Sequence, residues 1–208
     1  MAKAVSTRER ILDQGVALIS QSGLEGVTLG VLADQVGMSK SGLFAHFRSK
    51  EEVQISLLEH TAEVGAAHVI APSMSQPEGL PRLKALVKHW FGWAPRAGLP
   101  GGCPVAAGLF EFDDIASPVR DKISEMEAEW RGLLTQTVTE ARSLGHLRGD
   151  LDVAQFVWEL CGIYLSHHVA QRFLKSPDAD RRAQTAFQAL LARAAPVPGK
   201  KRPKRTDR

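Results

Sequence analysis

Between residues 28 and 47 the chain has room for two short helices and one tight turn, and little else. Thr28 is a hydroxyl N-cap, and Leu29, Leu32, Ala33 and Val36 recur behind it at helical spacing. Gly37 then allows the left-handed backbone of a sharp reversal. Ser39 is the next cap, and Leu43, Phe44 and Phe47 follow at three- and four-residue steps, which predicts a third helix of about two turns over residues 39–47. Leu32, Val36, Leu43 and Phe47 can lock the two helices together, leaving Lys40, Ser41, Gly42, Ala45 and His46 outward. This is the layout of a helix-turn-helix: one helix braces across the phosphate backbone while the second lies in the major groove, which is wide enough to admit it.

The rest of the chain also reads as helix. Ser6 and Glu9 form a capping box that opens a first helix over residues 7–22, closed by Gly23. Ser49 and Glu52 form another, opening a fourth helix to about residue 70. A break rich in Pro, Ser and Gly is predicted over residues 72–81, then a helix to Trp93, then an irregular segment over residues 95–102. Helices follow over residues 104–112, 118–144, 153–174 and 178–195. No stretch alternates with period two for long enough to be a strand. The expected fold is all-α with about nine helices. A helix-turn-helix head occupies residues 1–52, a larger helical body residues 53–195, and a disordered basic tail residues 196–208.

Charge narrows the partners by its location. The net charge is +3, but Lys200, Lys201, Arg202, Lys204, Arg205 and Arg208 of the tail supply more than all of it. A nucleic-acid role must therefore rest on a local cluster, here Lys40, Arg48 and Lys50. The tail itself suits either non-specific DNA affinity or solubility. No apolar run is long enough to span a membrane, the N-terminus has no signal-peptide core, and two cysteines are too few for a disulfide framework, so a cytoplasmic protein is expected. No nucleophile elbow, phosphate loop or zinc-protease pattern is present. His167 and His168 point about 100° apart on a helix and cannot chelate one ion together. Neither catalysis, a cofactor nor a metal is expected.

The run from Val27-Thr28-Leu29 through Gly37-Met38-Ser39-Lys40-Ser41-Gly42-Leu43-Phe44-Ala45-His46-Phe47-Arg48-Ser49-Lys50-Glu51-Glu52-Val53 resembles the signature of the tetracycline-repressor-like (TetR) family of transcription regulators. The resemblance covers roughly residues 7–60; the remainder is similar in helical character and length. It implies a DNA-binding head, a ligand-binding helical body and a homodimer on a palindromic operator. It implies that Thr28 caps the second helix and touches a phosphate, and that Ser39 and Lys40 open the recognition helix, Lys40 facing phosphate or base, with Ser41 outward beside them as a further DNA-binding candidate. Phe44 and His46 would face the duplex, and Lys50 would hold a phosphate at the start of the fourth helix. The family usually has Tyr where this chain has Phe44, so apolar contact, such as with a thymine methyl, replaces a hydroxyl bond. Gly42 stands where the family often has Thr or Ser, which removes a side chain from that position. Repression is the default sign and activation the alternative.

All four Trp lie in the body. Each is a core candidate, and with the irregular 95–102 segment they also suit an apolar pocket for a small apolar effector, with Trp93, Phe110, Phe112, Trp130 and Tyr164 as lining. The dimer is expected through residues 153–174 and 178–195. Val153, Phe156, Val157, Leu160 and Tyr164 form one stripe, and Ala183, Ala186, Phe187, Leu190, Leu191 and Ala194 another, as in a four-helix bundle. On that reading Leu190→Glu charges the seam and shifts the protein towards monomer, or aggregates it.

Overall fold

The structure, a computed structural model, describes residues 6–196, so the expectation for the basic tail lies outside the described residues save Pro196. Among the described residues are eleven α-helical segments and one π-helical segment, with no strand. The first three are α1 (Thr7–Ser22), α2 (Leu29–Val36) and α3 (Lys40–Phe44). The caps act as the sequence predicts. The Ser6 hydroxyl accepts from the Glu9 amide at 3.1 Å while the Glu9 carboxylate accepts from the Ser6 amide at 3.3 Å. Gly37 closes α2 in the left-handed region at φ 68°. Ile11, Val16, Ile19, Leu32, Leu43 and Phe47 fill the space between the three helices.

α3 is shorter than the expected two turns. The amides of His46 and Phe47 both donate to the Leu43 carbonyl, at 2.9 and 3.1 Å, which tightens the chain into a turn at Ala45 and His46. Burial of Phe47 draws the chain inward one residue later.

α4 (Lys50–Gly65) continues through the π-helical segment Ala66–Ile70 into α5 (Ala71–Met74). The expected break at Pro72 therefore starts later. The wider π turn has already interrupted the i→i−4 ladder, with the Ala71 amide donating to the Ala66 carbonyl, so the absent N–H of Pro72 costs little there. Then come α6 (Leu80–Trp90), α7 (Trp93–Arg96), α8 (Pro104–Glu111), α9 (Pro118–Ser143), α10 (Val153–Arg172) and α11 (Ala179–Ala194). α7 falls partly in the segment expected to be irregular: Pro95 sits in the first turn of a four-residue helix, where amide partners are missing anyway. α9 is the spine of the body, packing on α4, α6, α8 and α10, and α4 packs on α1 as well.

Apart from the half-buried Val153 and the exposed Ala186, the two C-terminal stripes are buried, but within one chain. α10 and α11 pack on each other through Phe156, Leu160, Phe187, Leu190 and Ala194. Leu190 is 3% exposed. The expectation for Leu190→Glu is corrected accordingly: the charge would enter the protomer's own core and unfold it before any dimer could be tested. Ala186, counted in the second stripe, is exposed.

Candidate functional site

At the tip of the head, Ser39 caps α3 by accepting from the Gly42 amide at 3.1 Å, and its hydroxyl lies 3.1 Å from that of Ser41. The Thr28 hydroxyl accepts from the Val31 amide at 3.2 Å. The structure brings Thr28 and Lys40 together over Gly30. A Cβ built on Gly30 would lie 3.1 Å from Lys40 Cε, 3.4 Å from its Nζ and 3.7 Å from Thr28 Oγ1. The Lys40 ammonium thus sits by the N-terminal turn of α2, whose first amides point outward, and the glycine leaves it room. Helix N-termini and ammonium groups both favour anions. Ser41 and Phe44 are exposed, Phe44 to 51%. His46 is half-buried and lies in the turn after α3, at the edge of this surface.

Lys50 is less free than a solvated side chain. Its Nζ donates to the Glu25 carbonyl at 3.1 Å and lies 3.5 Å from the Glu25 carboxylate. Both side chains are partly exposed, and such pairs contribute about 0–1 kcal/mol, so a phosphate can displace Glu25. Lys50→Ala is expected to weaken binding to every duplex about equally and to lower the salt dependence by about one unit of slope. Titrations at several salt concentrations check this; a loss confined to one sequence with the slope unchanged contradicts it.

Behind the head is a cavity of about 210 Å³ bounded by α4, the π segment, α6, α8, α9 and α10. Trp93, Trp130 and Tyr164 are among the residues that line it. Phe110 and Phe112 do not, which corrects that part of the expectation. α8 turns Val105, Ala106 and Leu109 to the cavity, leaving Phe110 58% exposed on its far side, while Phe112 is buried beyond the end of α8. Trp158 also departs from the core assignment, at 67% exposed. Sequence reasoning missed Trp90, whose ring stacks on Tyr164 at 4.0 Å and meets Trp130 edge-on at 4.8 Å. It missed Leu109, Met126 and the π segment too. Burial pushes the Tyr164 phenol well above its ordinary value and the Cys161 thiol up to about 11, so both are neutral walls. The Trp130 indole N–H is buried with no partner among the described residues, a donor for a polar atom on an otherwise apolar occupant.

Cavity and head are joined in two ways. α4 carries Lys50 at one end and Thr61, Ala62 and Gly65 of the cavity wall at the other. The segment between α7 and α8 is seated on the end of α1: the Gly101 amide donates to the Ser20 hydroxyl at 3.0 Å and the Gly102 amide to the Ser20 carbonyl at 2.8 Å. Nearby, the Glu111 carboxylate at the end of α8 accepts from the Glu25 amide at 2.9 Å.

The sequence model of bacterial regulatory proteins of the tetR family matches residues 11–56, and that of the tetracyclin repressor-like C-terminal domain matches residues 79–187. The chain belongs to the TetR family. As a TetR-family protein it is a DNA-binding transcription regulator, and the outward surface of α2 and α3 lies in the matched head. The nucleoid occlusion factor SlmA of Cronobacter sakazakii is 27% identical over 181 residues, spanning 85% of this chain and 90% of that protein. Two solved TetR-family regulators share the fold. One from Cytophaga hutchinsonii has a TM-score of 0.81 at 19% identity, covering 96% of this chain and 99% of its own. One from Chloroflexus aurantiacus has a TM-score of 0.78 at 23% identity, covering 89% and 92%. Among the described residues no helix is long and apolar enough to cross a membrane.

Proposed function

We propose that this TetR-family chain is a homodimeric repressor that a small, largely apolar molecule releases from a palindromic operator. We place the boundary between the DNA-binding head and the effector-binding body at residues 52 and 53, near the start of α4. The observation that carries the reading is α4 itself, which runs from Lys50 at the head to the wall of an aromatic cavity. A ligand filling that cavity acts on the same rigid element that holds the head. Its effect on DNA can be no larger than its differential affinity for the two geometries. In the head, Thr28, Lys40 and Lys50 take phosphates, Ser39 and Ser41 approach the backbone at the start of α3, and Phe44 and His46 meet base edges. In the body, Trp93, Trp130 and Tyr164 hold the effector.

The SlmA relatives carry a name that places them on the nucleoid, a DNA-bound role that a similar head would serve. The cavity behind the head favours a ligand-responsive regulator for this chain. Two linked measurements test it: a mobility-shift assay on the DNA upstream of the chain's own gene, and a screen of apolar small molecules for thermal stabilisation. The expected outcome is a shifted duplex that stabilising molecules release. A chain that binds the duplex and is never released, with no molecule stabilising it, contradicts the effector reading. Expression of a reporter behind that duplex rises on deleting the chain if it represses and falls if it activates.

A further inference from the structure

Beside the aromatic cavity lies a second one of about 390 Å³ with a different character. The two share three wall residues, Trp93, Cys103 and Tyr164, and lie on either side of them. Polar side chains from α10 and the residues after it line the second cavity, and no Asp or Glu does. Several of those groups are already engaged. His167 lies 2.7 Å from the Asp180 carboxylate, Gln171 donates to the same carboxylate at 2.8 Å, and Ser176 donates to Asp178 at 2.7 Å. Three are not: among the described residues, His168, Arg172 and Lys175 make no ion pair with a carboxylate. Arg172 has only a long 3.5 Å contact from its guanidinium to the Ser20 carbonyl. Gly102 lets the loop lie directly on this group, since a Cβ there would come within 2.7 Å of the His168 ring and 2.9 Å of Arg172. Burial first, then the neighbouring Arg172 and His167, hold His168 below its ordinary value.

A partly buried guanidinium with no acid partner in a concave site is a ready receptor for a carboxylate or phosphate oxygen pair. We propose that the second cavity is an anion subsite for the effector, so that the effector is an amphipathic organic anion. Its carboxylate or phosphate sits on Arg172 and Lys175, and its apolar part reaches past Tyr164 and Trp93 into the aromatic cavity. This rests on the effector reading above and adds the chemical class. It also gives the anion a route to the head, because the arginine that receives it otherwise leans on Ser20 at the end of α1.

The test compares three probes by calorimetry and by quenching of the cavity tryptophans: octanoate, octanol and inorganic phosphate, against wild type, Arg172→Gln and Lys175→Gln. Octanoate is expected to bind about tenfold or more tightly than octanol, the scale of one charge-assisted hydrogen-bond pair. Arg172→Gln should bring octanoate down to the affinity of octanol and leave octanol unchanged, with Lys175→Gln giving a smaller loss in the same direction. Thermal unfolding of each variant checks that it is folded, and Arg172→Lys should recover part of the preference. Equal binding of octanoate and octanol, or an octanoate preference that survives both Gln variants, overturns the anion subsite while leaving the apolar cavity reading intact. Phosphate binding without octanoate binding assigns the site to a free inorganic anion and also overturns the proposal. If neither organic probe binds and the tryptophans do not respond, the effector reading falls together with the subsite.

Discussion

Trp158→Glu is expected to convert the protein from dimer to monomer and to lower operator affinity by a factor on the order of 100 or more, while the protomer stays folded. The inward face of α10 is spent on α11, but its outward face is also apolar. Ala154, Trp158, Gly162 and Val169 lie on it, with Phe173 just past its end, and all five are exposed. Trp158 is 67% exposed and Phe173 83%. A row of large apolar side chains of this kind is seldom left in water, and on α11 the exposed Ala186 and Ala189 would let a second backbone come close. A twofold contact between these faces makes the four-helix seam expected of the two C-terminal helices, through the opposite sides of the helices from the stripes that the sequence suggests. A glutamate at 158 puts two like charges into that seam and leaves the exposed monomer unharmed. Operator affinity falls with it, because joining two half-site contacts in one molecule typically multiplies affinity by about 10² to 10⁴. Sedimentation at micromolar concentration alongside operator titration checks both parts. A Trp158→Glu protein that still sediments as a dimer, or a wild type that sediments as a monomer, rules this seam out.

The second large effect is expected at Gly101. A Cβ on this residue would lie 1.7 Å from the Ser20 carbonyl oxygen and 2.6 Å from the Gln21 amide nitrogen. Both atoms are backbone in a helix, so neither can rotate aside as a flexible side chain would. Gly101→Val must therefore lift the loop off α1, breaking the hydrogen bonds that the Gly101 and Gly102 amides donate to Ser20 and opening the wall shared by head and body. Overpacking of this kind costs about 1–3 kcal/mol, and each buried hydrogen bond lost adds about 1 kcal/mol. For a chain of this size the melting temperature should fall by roughly 5–15 °C. Gly132→Ala in α9 is the control: nothing lies within 4 Å of its Cβ position, and alanine is the better helix former, so its melting temperature should hold or rise. Equal melting temperatures for Gly101→Val and wild type would show that the loop is not held where the geometry places it.

These two positions also show what sequence can and cannot convey. These helix starts were legible because a cap is a local event: Ser6, Thr28, Ser39 and Ser49 each accept from an amide three residues on, whatever the rest of the chain does. The head was legible because its whole core fits in one short run. The faces of the body helices were not. An apolar stripe on α10 announces burial without naming what covers it, and α11 of the same chain covers it first. Cavities are harder still, since they depend on where side chains fail to meet. Phe110 and Leu109 are neighbours of like character, and a rotation of one residue along α8 sends one into solvent and the other to the cavity. The length of α3 escaped because burial of Phe47 competes with the helix and wins, with no punctuating Gly or Pro to mark the end.

The proposed function rests on the outward surface of α3 and on two such surfaces meeting one duplex as a pair. Selection of duplexes from a random pool by the full chain tests both at once. The expected result is enrichment of an inverted repeat whose half-sites are spaced to meet two heads about 34–36 Å apart, or near that. A Lys40→Ala, Phe44→Ala double variant, though folded, should fail to enrich that repeat. An enriched sequence without twofold symmetry, or the same repeat recovered equally well by the double variant, would rule out the proposed pairing of two α3 surfaces on DNA.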